Sequence, residues 1–205
     1  MKMFPLSALA IAALTASGCA TTPVAGPVEV TRFVAPDASA RLGQGTVFVE
    51  SAPGQDGEAL ALAPYKAAIA RELARLGYRE TPREAAEQVA QLRIEQFTSA
   101  GESTRRGPVS VGVGGSTGSW GSGLGLGLGI NLGGGGKREQ LVTRLGVMIR
   151  DKATGTTYWE GRAQFSVSPD SPLAASQANA DAMASALLRD FPGANGETVE
   201  VKVTQ

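Results

Sequence analysis

Histidine is absent from all 205 residues, and cysteine occurs once, at Cys19. The first absence removes the side chain most used as a general base near neutral pH, and the commonest transition-metal ligand with it. The second leaves no partner for a disulfide and no thiol pair for zinc. Neither sign of charge is in excess, with 19 basic and 19 acidic residues. Without a long basic run, the chain offers no electrostatic case for nucleic acid. No cofactor or metal is expected from this inventory, and no enzyme. The longest apolar run, residues 4–14, falls well short of the ~20 residues a spanning helix needs.

What is present begins with that run. Lys2, the apolar stretch and the small residues before Cys19 form the three parts of a secretory signal. The end of it, Leu14-Thr15-Ala16-Ser17-Gly18-Cys19, resembles a bacterial lipoprotein leader, with Ala16 where leucine is commonest. On this reading residues 1–18 are a signal peptide, and Cys19 carries acyl chains such as palmitate. Residues 19–27 then form a linker, and 28–205 a single domain facing the periplasm. By the same resemblance, Ala20 in place of aspartate points to the outer membrane. The alternative is an ordinary signal peptide with a chance cysteine near its cut.

Within the domain, residues 28–34 and 45–51 are β-branched and aromatic runs that read as strands. Leu62, Tyr65, Ile69, Leu73 and Leu76 then share one helical face, predicting a helix over 64–76 with Pro64 in its first turn and Gly77 as its C-cap. Residues 80–87 could add a helical turn. Residues 89–97 alternate as a strand with one buried face. Leu141 to Ile149 and Trp159 to Val167 keep the same period of two around an Asp151-Lys152-Ala153-Thr154-Gly155 turn, which predicts a hairpin. Ser171-Pro172 reads as N-cap and first residue of an Ala-rich helix, with Ala180, Met183 or Ala184, Leu187 and Phe191 on one face and Pro192-Gly193 as its stop. Residues 197–203 close the chain as a strand. Together these give an α+β fold: an antiparallel or mixed β-sheet with two helices packed on one face, plus a Gly-rich β-hairpin extension.

The order of "TVFVES", "AIARELARLGYRE", "EQVAQLRIEQ", a glycine-rich middle, "LGVMIRDKATGTTYWEGRAQF" and "ALLRDFPG" resembles the bacterial lipoprotein family known as domain of unknown function 4136. The helix ending in Leu-Gly-Tyr, the Asp-x-x-Thr-Gly turn leading to Trp159-Glu160-Gly161-Arg162-Ala163, and Phe191-Pro192-Gly193 carry the resemblance. It implies an envelope lipoprotein of α+β fold and brings no active-site residues.

Many of the 27 glycines fall in the insertion at 107–136. Val109, Val111 and Val113 alternate with glycine and serine, and Leu124, Leu126, Leu128, Ile130 and Leu132 do so again. Trp120 lies between the two runs. The pattern is a hairpin with one apolar face and one bare face. Three readings remain open: a sheet extension packed partly on its own domain, a surface for a partner strand, or insertion into lipid as one hairpin of an oligomeric barrel. Gly133 to Arg138 lacks the spacing of a phosphate loop, and Gly114-Gly115-Ser116-Thr117-Gly118 has no histidine to activate its serine. Asp56 with Glu58, and Glu84 with Glu87, read as surface charge. Arg105-Arg106 and Lys137-Arg138 border the tract. The expectation is a non-catalytic outer-membrane lipoprotein that binds or scaffolds another cell-envelope component, by contact with an unidentified protein or by self-association. The alternative is an oligomeric membrane-inserting assembly built on the glycine hairpin.

Overall fold

The computed structural model of the chain describes residues 25–55, 59–100, 111–113, 126–128 and 139–203. Their strands are β1 (Ala25–Val34), β2 (Thr46–Ser51), β3 (Arg79–Glu80), β4 (Gln88–Ala100), β5 (Val111–Val113), β6 (Leu126–Leu128), β7 (Glu139–Asp151), β8 (Thr157–Val167) and β9 (Thr198–Val201). The helices are α1 (Ala59–Arg75) and α2 (Ser176–Leu188). Seven strands form one mixed sheet in the order β3-β2-β4-β7-β8-β1-β9. β2 runs parallel to β3 and β4, and every other neighbouring pair is antiparallel. Parallel neighbours need a crossover, and α1 supplies it between β2 and β3.

Alternation decides which face the helices cover. Val28, Val30, Val47, Val49, Leu92, Leu145, Val147, Trp159 and Phe165 point to one side and are buried there. Leu62, Tyr65, Ile69 and Leu73 of α1, with Ala180, Met183 and Leu187 of α2, close the core over them. Each such aliphatic or aromatic side chain contributes about 1.5–3 kcal/mol by leaving water. The expected α+β fold is therefore present, with both helices on one face.

Several boundaries differ from the sequence reading. α1 begins at Ala59 rather than 64, so Pro64 lies beyond the first turn, and Leu62, already placed on the apolar face by the sequence, falls inside the helix and is buried. The Ala-rich segment is not one helix. A 3-10 turn, Pro172–Ala174, comes first, and the Ser171 hydroxyl accepts from the Leu173 N–H at 3.2 Å. Asn179 then donates its side-chain amide to the Leu173 carbonyl, tying the turn to α2. Phe191 lies past the end of α2 rather than on its face, because the helix stops at Leu188, where Arg189 turns extended (φ −58°, ψ 136°) and Asp190 adopts a left-handed conformation (φ 55°). Residues 82–86 make a single turn, and the short strand β3 precedes it.

Candidate functional site

The residues that carry the family resemblance are consumed by architecture. The Trp159 indole N–H donates to the Pro192 carbonyl at 2.9 Å, and the Phe191 ring sits 5.2 Å from the Trp159 ring and 6.5 Å from Tyr78. A side chain on Gly161 would meet Trp159 at 2.2 Å and Leu187 at 2.8 Å, so glycine is required for α2 to approach β8. Arg32, 6% exposed, donates from Nε to the Leu187 carbonyl at 2.9 Å and from Nη2 to the Ala186 carbonyl at 3.1 Å. It thereby satisfies carbonyls at the C-terminus of α2 that have no helical partner. Burial lowers its pKa from the ordinary guanidinium value. At the Asp151 turn, the carboxylate accepts from the Thr154 and Ala153 backbone N–H groups at 2.8 and 2.9 Å, while the Tyr158 hydroxyl donates to it at 2.9 Å. Those bonds, the Thr154 amide first, hold its pKa below the usual carboxylate value.

A second polar cluster lies between the layers. The Tyr65 hydroxyl donates to Asn179 Oδ1 at 2.9 Å and accepts from Gln96 Nε2 at 3.1 Å, and Gln96 also donates to Thr143 Oγ1 at 3.2 Å. Asn179 and Thr143 are fully buried. Burial pushes the Tyr65 pKa up to about 12. With every named group hydrogen-bonded and none charged, this is a specific tie between α1, α2 and the sheet rather than a reactive centre.

The face away from the helices carries the other parity of each strand. Phe33 and Phe97 are each 40% exposed there. The Arg162 guanidinium stands 5.5 Å from the centroid of the Phe33 ring, and that of Arg144 stands 5.0 Å from the centroid of Phe97. Between them lies Gly146, which pairs with Arg93 and Arg162; a Cβ built on it meets nothing within 4 Å among the described residues. On the same face Glu50 accepts from Arg83 and Gln91, both at 2.8 Å. Burial raises the Glu50 pKa, but the bonds from Gln91 and Arg83 outweigh it and leave the carboxyl below its ordinary value. At the β9 edge Glu29 faces Glu200, and burial followed by that like charge raises the Glu29 pKa. Phe33, Phe97, Arg144 and Arg162 were not singled out from sequence. The signal was available, since both phenylalanines fall on the polar parity of their strands.

Ala25, the first described residue, lies at the same end of the sheet as the paired ends of β4 and β7. Ala25 pairs with Val167, Val167 with Leu141, and Leu141 with Thr98, all in one cross-strand row. The β4–β7 ladder ends two pairs further on, at Ala100 and Glu139. Val111 pairs with Leu128, Gly112 with Gly127 and Val113 with Leu126.

Of the residues singled out from sequence, Val111, Val113, Leu126 and Leu128 are therefore brought opposite one another in backbone register. Cys19, Val109, Trp120, Leu124, Ile130 and Leu132 lie outside the described residues, as do Asp56, Glu58, Arg105, Arg106, Lys137 and Arg138. Glu84 and Glu87 are exposed, and Glu87 accepts from the Thr46 N–H at 3.3 Å. Among the described residues no group of three or more His, Cys, Asp or Glu side chains could hold a metal ion. No helix among them is long and apolar enough to cross a membrane. A shallow open depression of about 440 Å³ lies along α1, lined by Val49, Lys66, Ala67, Ala70, Arg71, Ala74 and Glu80.

These features define a two-layer α+β domain whose second sheet face is covered by no helix among the described residues. The chain belongs to the family described as domain of unknown function DUF4136, whose model matches residues 36–193. No curated protein matches it. Among solved structures, it is similar to the PelC dodecamer from Paraburkholderia phytofirmans, at 14% identity and TM-score 0.41 over 78% of this chain and 94% of that one. A leucine-to-methionine variant of that same dodecamer gives 12% identity and TM-score 0.43 with the same coverage. A PDZ domain protein from Parabacteroides distasonis gives 13% identity and TM-score 0.48, over 87% of this chain and 38% of that one.

Proposed function

We propose that this chain is a non-catalytic lipoprotein, anchored in the outer membrane through Cys19, whose uncovered sheet face binds another component of the cell envelope. The observation that carries the binding role is the pair of exposed phenylalanines, Phe33 and Phe97, each under an arginine on the sheet face away from the helices. Aromatic residues and arginine are the types enriched in protein interfaces and their hot spots, and a sheet already ordered by its helices loses little entropy on docking. The anchor rests on the leader ending in Ser17-Gly18-Cys19 and on the family resemblance. Three acyl chains make a stable attachment where a single chain binds only marginally.

Two measurements test this reading. Mass spectrometry of the mature N-terminus should find acylated Cys19, and Cys19→Ser should move the domain from the membrane to the soluble fraction. Crosslinking in cells should recover an envelope protein from wild type and less of it from a Phe33→Ser, Phe97→Ser double variant. An unmodified Cys19 would end the anchor reading, and equal recovery from both chains would end the binding one.

A further inference from the structure

The seven-stranded sheet has two ends, and both leave a strand edge open. At one end β9 pairs with β1 on one side and, among the described residues, with nothing on the other. At the opposite end β3 is only two residues long. It covers the outer side of β2 at Thr46 and Val47 and leaves Val49 and Ser51 without a neighbour there among the described residues. A row of unpaired N–H and C=O groups is a template for a further strand.

Beside the open stretch of β2 lies the depression along α1. Ala67, Ala70 and Ala74 form its wall and Val49 lines its floor, which leaves room for an aliphatic side chain from an added strand. β9 carries that type of side chain on the matching layer. Val199 and Val201 fall on the helix-covered side of the sheet, and Val199 is only partly buried. Two sheets joined edge to edge, with their helices on the same side, bring Val199 of one copy toward the methyl wall of the next.

The charges agree with that pairing. Lys66 and Arg79 stand at the β2–β3 end, and Glu197 and Glu200 at the β9 end. None of the four makes an ion pair among the described residues. Arg79 and Glu200 both sit on the strand parity that faces away from the helices, since Val47 and Val199 beside them face the core. The opposite signs also correspond, with Glu80 beside the basic pair and Lys202 beside the acidic one. Glu200 faces Glu29 across the β9–β1 ladder, a like-charge pair that a cation from a second copy relieves. Two β9 edges meeting each other would add to that repulsion instead.

We propose that the chain self-associates head to tail, with the β9 edge of one copy adding to β2 of the next along the α1 depression. Such a contact leaves one edge of each kind free, so it continues until the copies close into a ring or run on as a filament. It uses the ends of the sheet rather than the face assigned to the envelope partner, and it does not depend on the Cys19 anchor.

Sedimentation of the full chain in density-matched detergent micelles reads the association. Wild type should form concentration-dependent oligomers that dissociate as salt is raised. A Glu197→Lys, Glu200→Lys chain and a Lys66→Glu, Arg79→Glu chain should each associate at least about tenfold more weakly, because like charges then meet across the contact. Mixed in equal amounts, the two variants should recover wild-type sedimentation, since every edge again meets its opposite. Unfolding midpoints equal to wild type show that both variants remain folded. Wild type that stays monomeric at every concentration overturns the proposal without reference to any variant. Association that both charge reversals leave unchanged overturns it as well, and so does a mixture no more associated than its components.

Discussion

The Trp159 indole N–H reaches the Pro192 carbonyl oxygen at 2.9 Å, joining β8 to the segment that follows α2. This one bond connects two stretches of the family pattern that lie far apart in sequence. Replacing Trp159 by Phe keeps a ring in the core but removes the donor, and should lower stability by about 1–3 kcal/mol, counting the stranded carbonyl. Equilibrium urea unfolding measures it, with an unchanged slope showing that the fold is otherwise kept.

Two glycines on adjacent strands should respond with opposite signs. At Gly161 a new Cβ meets Trp159 at 2.2 Å, so Gly161→Ala should destabilise by at least the ~1–3 kcal/mol typical of overpacking. At Gly146 a Cβ meets nothing within 4 Å, and Gly146→Ala should stabilise by roughly 0.5–1 kcal/mol through reduced chain entropy. Midpoints of thermal or urea unfolding for the two variants test the contrast. A Gly146→Arg chain should fold as well as wild type while yielding less of the crosslinked partner, because the bare patch is then filled.

Tyr65 keeps its proton to a pKa of about 12 in the folded chain, above the ordinary tyrosine value of 10.0. Between those values the unfolded state binds fewer protons than the native state, so stability falls as pH rises. Tyr65→Phe should lose about 1–3 kcal/mol at neutral pH, since Asn179 Oδ1 is left buried without its donor. It should also show a shallower decline than wild type from about pH 9 to 11.5, the span over which the unfolded-state tyrosine ionises. Denaturant titrations across that range separate the two effects.

At low pH the sign reverses. The Asp151 carboxyl is held below its ordinary pKa by the Thr154 amide and the Tyr158 hydroxyl. Its contribution is present above the unfolded-state pKa and is lost as pH falls through the folded one. Asp151→Asn should therefore reduce the stability difference between about pH 6 and about pH 3, read from unfolding midpoints on either side of the ordinary carboxylate value.

The strands and the covered face were legible because burial on one side imposes a period of two: Leu145, Val147 and Ile149 could be placed inward without coordinates. Leu62, Tyr65, Ile69 and Leu73 announced their helix face in the same way. The break before α2 was hidden because it depends on side-chain bonds from Ser171 and Asn179 rather than on apolar spacing. The two-residue strand β3 is too short to show any period. The uncovered face was missed for a related reason. Phe33 and Phe97 count toward hydrophobicity like any core residue, and only parity within a known strand reveals that they point outward. That Ala25 and the paired ends of β4 and β7 lie at one end of the sheet follows from strand order, which no local pattern encodes.

The account stands most directly on which face meets a partner. Photo-crosslinking residues placed singly at Thr31, Phe33 and Phe97 on the uncovered face, and at Ala67 and Arg75 on the helix side, would be activated in living cells. The account predicts one envelope protein crosslinked from the first three positions and not from the last two. Adducts of that protein from Ala67 or Arg75 alone, or none from the uncovered face, would contradict it.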